Sequence, residues 1–412
     1  PSSLCAAITY LYSKLNQHKF SMKGVYTLKG VVKHYDWGGF SFIPGLLKQQ
    51  NWEKKPFAEY WMGTHPLGIS TVEFEKGATG GLDILAGNLP YLFKAQEVKE
   101  MLSIQAHPSK KAAEIEFARE NAEGIPLDAA YRNYKDDNHK PEMLVALGDF
   151  WLLHGFKPEV QLESTLNDTA ELQGLLPIWK EGGYSALYKY IMEMPVEMVN
   201  KMLTPLVNRV LPLYEAGELQ KDNPDFWAGR AVKTFTHDNN YDRGIFSIYL
   251  FNIVHLSRGE GLFQDAGVPH AYLEGFNVEL MANSDNVLRG GLTPKHIDVP
   301  ELLKHVKCEA TIPAIIKGKA GEEGEINYAT PVPDFRLSLF QLKAGETVAF
   351  TPESVEIILL TDGIAELDDD ENLVKLQLGN PSAVVFPGQV VYLAAATDCT
   401  VFRAREGIHN RE

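Results

Sequence analysis

Leu256-Ser-Arg-Gly-Glu-Gly-Leu-Phe263 reads as a strand, a tight glycine turn and a second strand, and it leads into Val268-Pro-His-Ala-Tyr272. Just before it, Ile245-Phe-Ser-Ile-Tyr-Leu-Phe-Asn-Ile-Val254 is rich in aliphatic and aromatic residues, which predicts a strand. A weak echo of the strand–Gly–strand pattern occurs at Leu342-Lys-Ala-Gly-Glu-Thr-Val-Ala-Phe350 and at Val384-Val-Phe-Pro-Gly-Gln-Val-Val-Tyr-Leu393. Short strands separated by Gly and Pro turns suggest a jelly roll, the cupin type of double-sheet barrel. The echo is too weak to decide the fold by itself.

Working outward, Val25 to Trp37 predicts strands followed by a Gly38-Gly39 turn, and Val72-Glu-Phe-Glu alternates like a strand. Ser109 to Asn121 predicts a helix that Ser109 caps and Gly124 ends. Between Pro158 and Lys233 the apolar residues recur at threes and fours, with Pro177, Pro195, Pro205 and Pro212 punctuating the run. That pattern predicts several short helices forming an inserted subdomain. The expected class is therefore mainly β with an α-helical insertion.

At 412 residues, more than one domain is expected. The net charge of −15 argues against nucleic acid as a partner, so an anionic ligand would need a local basic cluster. Cys5, Cys308 and Cys399 are sparse and lack CxxC spacing, which fits a reducing cytoplasm. No apolar run approaches the ~20 residues of a membrane helix, so no membrane association is expected. Leu4 to Leu15 lacks the basic start and small-residue cleavage site of a signal peptide. Neither a G-x-G-x-x-G fingerprint nor a Walker loop is present.

Met101-Leu-Ser-Ile-Gln-Ala-His-Pro108, taken as a strand, puts Ser103, Gln105 and His107 on one face and Leu102, Ile104 and Ala106 on the other. A polar stripe opposite an apolar one suggests a lined pocket. Glu142 follows in Asn138-His-Lys-Pro-Glu142, and His270 in Val268-Pro-His-Ala-Tyr272. Twelve histidines in a chain of this length are ordinary, so it is the wording around these residues that singles them out. Two imidazoles, a carboxylate and an amide oxygen make a reasonable shell for zinc with one position left open. Iron, cobalt or manganese would also accept that donor set. No histidine lies between His305 and His409, so the C-terminal barrel is expected to be metal-free. Asp368-Asp-Asp-Glu371 lacks the alternation of a calcium loop and reads as a solvated hairpin tip.

Six ordered blocks carry a resemblance to the type I mannose-6-phosphate isomerases: Ala58-Glu-Tyr-Trp-Met-Gly-Thr-His-Pro66, Leu92-Phe-Lys94, Leu102-Ser-Ile-Gln-Ala-His-Pro108, Asn133-Tyr-Lys-Asp-Asp-Asn-His-Lys-Pro-Glu142, Pro269-His-Ala-Tyr-Leu273 and Met281-Ala-Asn-Ser-Asp-Asn-Val-Leu-Arg-Gly-Gly-Leu-Thr-Pro-Lys295. The blocks span residues 25 to 310, and the C-terminal part matches more loosely. Ala106 and Gly290 depart from the family's usual Val and Ala without removing a polar group. The resemblance implies two cupin-type jelly-roll barrels plus a helical subdomain. It divides the chain into a catalytic metal-binding domain (22–157 and 234–310), an inserted helical subdomain (158–233) and a C-terminal metal-free cupin-like domain (311–412). Residues 1–21 are an N-terminal extension of uncertain status.

The resemblance further implies interconversion of mannose 6-phosphate and fructose 6-phosphate through an enediol(ate), with one Zn2+ per chain on Gln105, His107, Glu142 and His270. Lys140, Asp285, Arg289 and His139 are the candidate catalytic groups. Lys140 is the favoured base, with anion binding as its alternative, and His139 is the reserve acid or base. Asp285 suits ring opening or an Asx turn, and Arg289 suits the reacting oxygens or the phosphate. Lys94, Ser103, Tyr272, Glu279 and Lys295 are candidate substrate-binding residues. A cytoplasmic monomer is expected. A metal-dependent cupin oxygenase and a non-catalytic sugar-phosphate binder are the competing readings.

Overall fold

The computed structural model describes residues 22–74 and 77–407. The N-terminal extension lies outside them. The architecture is mainly β, with an 11-stranded, a 9-stranded and a 4-stranded sheet and a cluster of helices.

Leu256 to Phe263 adopts the expected pattern, strands Phe251–Leu256 and Glu260–Gln264, with Gly259 at φ +84 in the turn between them. These two strands do not pair with each other. Phe251–Leu256 pairs with Phe150–Phe156, whereas Glu260–Gln264 pairs with Glu142–Ala146. The turn therefore carries the chain from one part of the 11-stranded sheet to the other. The first C-terminal echo crosses between two sheets. Phe335–Leu342 pairs with Cys399–Glu406 in the 9-stranded sheet, and after the Gly345 turn Thr347–Phe350 pairs with Val391–Ala395 in the 4-stranded sheet. The physical cause is alternation: each strand buries one face against a different layer.

The layers share cores. Tyr60, Phe93, Met143 and Leu280 of the 11-stranded sheet pack with Leu28, Leu337, Ile357 and Phe402 of the 9-stranded sheet. The opposite side of the 9-stranded sheet packs on the 4-stranded one through Phe340, Leu360, Leu393 and Val401. Leu144, Phe150, Leu152, Leu262 and Tyr272 form a further core on the other side of the 11-stranded sheet. The long strand His270–Ala282 joins both parts of that sheet, pairing with Ile104–Ala106 and Phe150–Phe156 at its start and with Tyr91–Val98 and Glu142–Ala146 farther on.

The sheets do not respect the expected boundary near residue 310. Gly24–Lys29 pairs with Ser382–Phe386 and with Thr71–Glu73, so N-terminal strands complete the C-terminal sheet. In return, Ile316–Lys317 pairs with Glu260–Gln264.

The helix Lys110–Ala122 forms as expected: the Ser109 hydroxyl accepts from Ala112 N, and Gly124 (φ +72) terminates the segment. The helical insertion comprises Glu159–Asp168, Leu176–Glu193, Val196–Glu215 and Pro224–Phe235. Pro205 and Pro212 lie inside the third of these helices and do not break it into short pieces. The predicted strand from Ile245 is corrected: Gly244–Leu250 is a helix, and the strand starts only at Phe251. Every residue of that helix is buried, in a core with Trp227, Leu187 and Tyr188. A fully buried helix has no polar face, so its sequence lacks the period that would identify it. At the acidic hairpin, strands Ala365–Asp368 and Leu373–Leu376 do pair, but Asp369 is buried, not solvated. Its carboxylate accepts from Val25 N at 2.7 Å and ties the N-terminal strand to the hairpin.

Candidate active site

A cavity of about 260 Å3 opens on the 11-stranded sheet, walled by Lys94, Gln105, Lys140, Glu142, Glu279 and Asp285 among others. Strand register places these groups. Gln105 stands opposite both His270 and Arg289, on strands to either side. Lys94 stands between Glu279 and Trp61.

Three donors converge beside this cavity. His107, Glu142 and His270 are almost fully buried, and one ligand atom from each lies within 4.8 Å of the others. The Nε2 atoms of His107 and His270 sit 3.4 Å from the two oxygens of Glu142. Neither Nε2 nor Glu142 Oε2 has a hydrogen-bond partner. Each imidazole instead donates from Nδ1 to a backbone carbonyl, His107 to Asn286 at 2.7 Å and His270 to Val268 at 2.9 Å. That bond fixes the tautomer whose Nε2 lone pair faces the site. Three buried lone pairs without protons is the donor set a zinc-like cation takes, and Gln105 stands opposite His270 in the neighbouring strand. Burial and Lys140 push His107 down to about 4, which keeps it neutral. Burial raises the Glu142 carboxyl, but Lys140 and His107 more than offset this and hold it well below the usual range. Another cluster, Glu116, Glu301 and His305, is engaged by Arg119 and Lys304 and is less buried.

Lys140 Nζ lies 2.8 Å from Glu142 Oε1. Deeper in the wall, Lys94 Nζ donates to Glu279 at 2.8 Å and lies 3.5 Å from Glu59. Burial disfavours its charge, but Glu279, Glu59 and Glu142 outweigh that and hold Lys94 as a cation. Tyr272 donates to the other oxygen of Glu279 at 2.7 Å, and Trp61 Nε1 donates to Glu59 at 2.7 Å. At the mouth, Asp285 stands 3.4 Å from His65 Nε2. Burial raises its carboxyl, yet His65, Lys140 and Lys94 bring it below the ordinary value. Lys295 lines the same cavity, and burial together with nearby Arg289 pushes it down. Lys295 is the lysine of the lining that no carboxylate pairs among the described residues, whereas Lys94 and Lys140 are both held by glutamates.

The loops that carry these groups interlock. Asp136 accepts from Asp285 N at 2.7 Å and from Ser284 Oγ at 2.8 Å. Asn286 accepts from Lys135 N and donates to the carbonyls of Asp136 and Asn138. The Asn-Ser-Asp-Asn turn thus also braces the segment that ends in Lys140 and Glu142.

Three of the expected catalytic and substrate-binding residues lie outside the cavity lining. His139 does not line the cavity; its Nε2 is 3.0 Å from both oxygens of Asp334, at the entry to strand Phe335–Leu342. Successive residues of an extended segment point in opposite directions, so Lys140 faces in and His139 faces out. Ser103 precedes the strand Ile104–Ala106 and is likewise not part of the lining. Arg289 stands beside Gln105 in register but outside the wall of the cavity. Sequence reasoning missed Glu59, Trp61 and Gln96. Their signal was present: Glu59 and Trp61 alternate on strand Glu59–Gly63, and Lys94 and Gln96 on Tyr91–Val98.

Known proteins share this architecture. The model of the phosphomannose isomerase type I catalytic domain matches residues 25–159. Mannose-6-phosphate isomerase of Salmonella typhimurium is 36% identical over 86% of this chain and 93% of its own length. The enzyme of Homo sapiens is 32% identical over 92% of this chain and 98% of its own. A crystal structure of the Salmonella typhimurium enzyme bound to its substrate, fructose 6-phosphate, and to zinc superposes with a TM-score of 0.81 at 32% identity, covering 93% of this chain and 100% of that one. With such likeness along nearly the whole length, the chain belongs to the type I phosphomannose (mannose-6-phosphate) isomerase family.

Proposed function

We propose that this protein interconverts mannose 6-phosphate and fructose 6-phosphate by proton transfer between C1 and C2 through an enediol(ate). The observation that carries the reading is the convergence of three unpartnered buried donors, on His107, His270 and Glu142, next to the amine of Lys140. Gln105, His107, Glu142 and His270 would hold one zinc ion. When bound, zinc supplies a Lewis acid that polarises a sugar oxygen and stabilises developing oxyanion charge.

The remaining chemistry belongs to side chains. As the neutral amine, Lys140 would take the proton from C2 and deliver it to C1. Asp285, held ionised by His65, suits the proton shuttle of ring opening. Arg289 and Lys295 supply positive charge for the phosphate or the reacting oxygens. Lys94 is fixed by two carboxylates and presents a charge that needs no reorganisation during reaction. Tyr272 and Glu279 hold that arrangement and would accept sugar hydroxyls. The crossing of successive strands between sheets, or between parts of one sheet, supports two cupin-type jelly rolls, with the metal in the first. A pure binding module has no need of an amine packed against a ligand carboxylate, so catalysis is favoured.

The experiment is a coupled assay for fructose 6-phosphate with and without chelator. Chelator-sensitive turnover of mannose 6-phosphate supports the reading, and its absence in zinc-loaded protein rejects it.

A further inference from the structure

A separate cavity of about 460 Å3 lies on the 9-stranded sheet, among the C-terminal strands. Its size is ordinary for a small-molecule site. Three arginines reach it: Arg336 on strand Phe335–Leu342, and Arg403 and Arg405 on Cys399–Glu406. Two buried carboxylates, Glu325 and Glu356, share the floor.

The floor is not balanced. Arg403 is fully committed: it grips Glu356 with Nε at 2.6 Å and Nη2 at 3.1 Å, reaches Glu323 and Glu325 with Nη1, and stacks 4.2 Å from the Phe350 ring. Arg405 gives Nη2 to Glu325 and Asn327, but its Nε is buried and has no acceptor. Arg336 uses Nε on the Glu406 carbonyl at 3.1 Å, and among the described residues its Nη atoms find no partner. Arg336 and Arg405 stand directly opposite each other across the strand pair. Like charges at that position repel. The lining holds five glutamates to three arginines, but Arg403 takes up Glu356, Glu323 and part of Glu325, so the donors left unmatched on the floor are those of Arg336 and Arg405.

At the rim, Glu322, Glu323 and Glu353 are exposed. They would repel a bare polyanion and accept hydrogen bonds from hydroxyl groups. Guanidinium edges below and carboxylates above define a ligand with an oxyanion head on a hydroxylated body.

We propose that this cavity is a second ligand site of the protein, taking a small polyol that bears one phosphate or carboxylate group, with Arg336 as its principal anchor and Arg405 beside it. It requires neither zinc nor the Lys140 cavity. It also gives the histidine-free C-terminal strands a binding role alongside their structural one.

Equilibrium dialysis of the zinc-loaded full chain against radiolabelled fructose 6-phosphate tests this directly. Arg336→Gln should lose one bound equivalent per chain relative to the parent, while the Michaelis constant and turnover of the isomerase stay unchanged. Arg336→Lys, which keeps the charge, should retain that equivalent at lower affinity and guards against a folding artefact. Competition then separates the two head groups: inorganic phosphate displacing this equivalent marks a phosphate site, and gluconate displacing it marks a carboxylate site. Equal numbers of bound equivalents in the parent and both variants would overturn the proposal. If the isomerase reading failed instead, the Arg336-dependent equivalent would remain and the other would be missing.

Discussion

Lys140 Nζ lies 2.8 Å from Glu142 Oε1, so the proposed base and a proposed metal ligand share one wall of the cavity two residues apart. Pro141 between them keeps the backbone extended, and both side chains reach the same place. Acid–base chemistry and metal binding are thus built on one short segment.

If that segment supplies the base, Lys140→Ala should lower turnover by roughly a hundredfold or more, the usual scale for general base catalysis. Substrate affinity should change far less. Exchange of the C2 hydrogen with solvent should vanish together with turnover. Near-normal exchange in the variant would move the base to Asp285.

Metal content is the second expectation. The purified protein should hold about one zinc ion per chain, and Glu142→Ala should lose it, because removing the carboxylate leaves two neutral imidazoles and an amide. Elemental analysis and activity after chelation check this. Full activity in a metal-free preparation would sink the zinc assignment.

Arg289→Ala distinguishes two roles. Loss confined to turnover would mark stabilisation of charge in the transition state, whereas a rise confined to the Michaelis constant would mark ground-state phosphate binding. Its place beside Gln105, with its charge felt at Lys295, favours the phosphate role. The variant should then raise the Michaelis constant by about tenfold or more, in line with ~1.5–3 kcal/mol for a charge-assisted hydrogen bond.

Asp334→Asn probes the outward neighbour. The paired 3.0 Å contacts between Asp334 and His139 pin the segment that carries Lys140 to the C-terminal strands. The substitution should reduce turnover severalfold while zinc content stays at the parent level. Unchanged turnover would show that the segment is held by Asn286 and Asp136 alone.

His154 gives a pH expectation. It is buried opposite His270, bonded to Gln264 at 2.7 Å, and burial pushes it down to about 4 from 6.5. Between those values the unfolded chain binds a proton that the native protein refuses. Stability therefore falls as pH drops from 6.5 to 4, and below 4 this group adds no further slope. The full effect is on the order of 3 kcal/mol. Urea midpoints measured across that window should decline, and His154→Gln should flatten the decline. A variant as steep as the parent would assign the slope to other groups.

Much of the site was legible because its groups are local pairs or alternating positions. Gln105 and His107 repeat at period two, Lys140 stands two residues before Glu142, and Asn-Ser-Asp-Asn announces a turn. That His139 turns to Asp334 while Lys140 lines the cavity was not legible, because adjacency in sequence says nothing of which side of an extended segment faces the cavity. The helix Gly244–Leu250 was misread because complete burial erases periodicity. Glu59 shares a strand face with Trp61, which is legible in the alternation, but that Lys94 and Gln96 are its partners depends on the pairing of two strands.

By itself the sequence determined the strand and turn grammar, the helical insertion, the donor types and the family. These depend on residue type, spacing and ordered blocks, which survive without coordinates. Only the tertiary structure decided which lone pairs meet without partners, that Lys94 is locked between two carboxylates, that N-terminal strands complete the C-terminal sheet, and that Arg336 faces Arg405 across it. Those relationships join residues tens to hundreds of positions apart, and strand register, which fixes them, is set by the packing of whole layers rather than by any local run of residues.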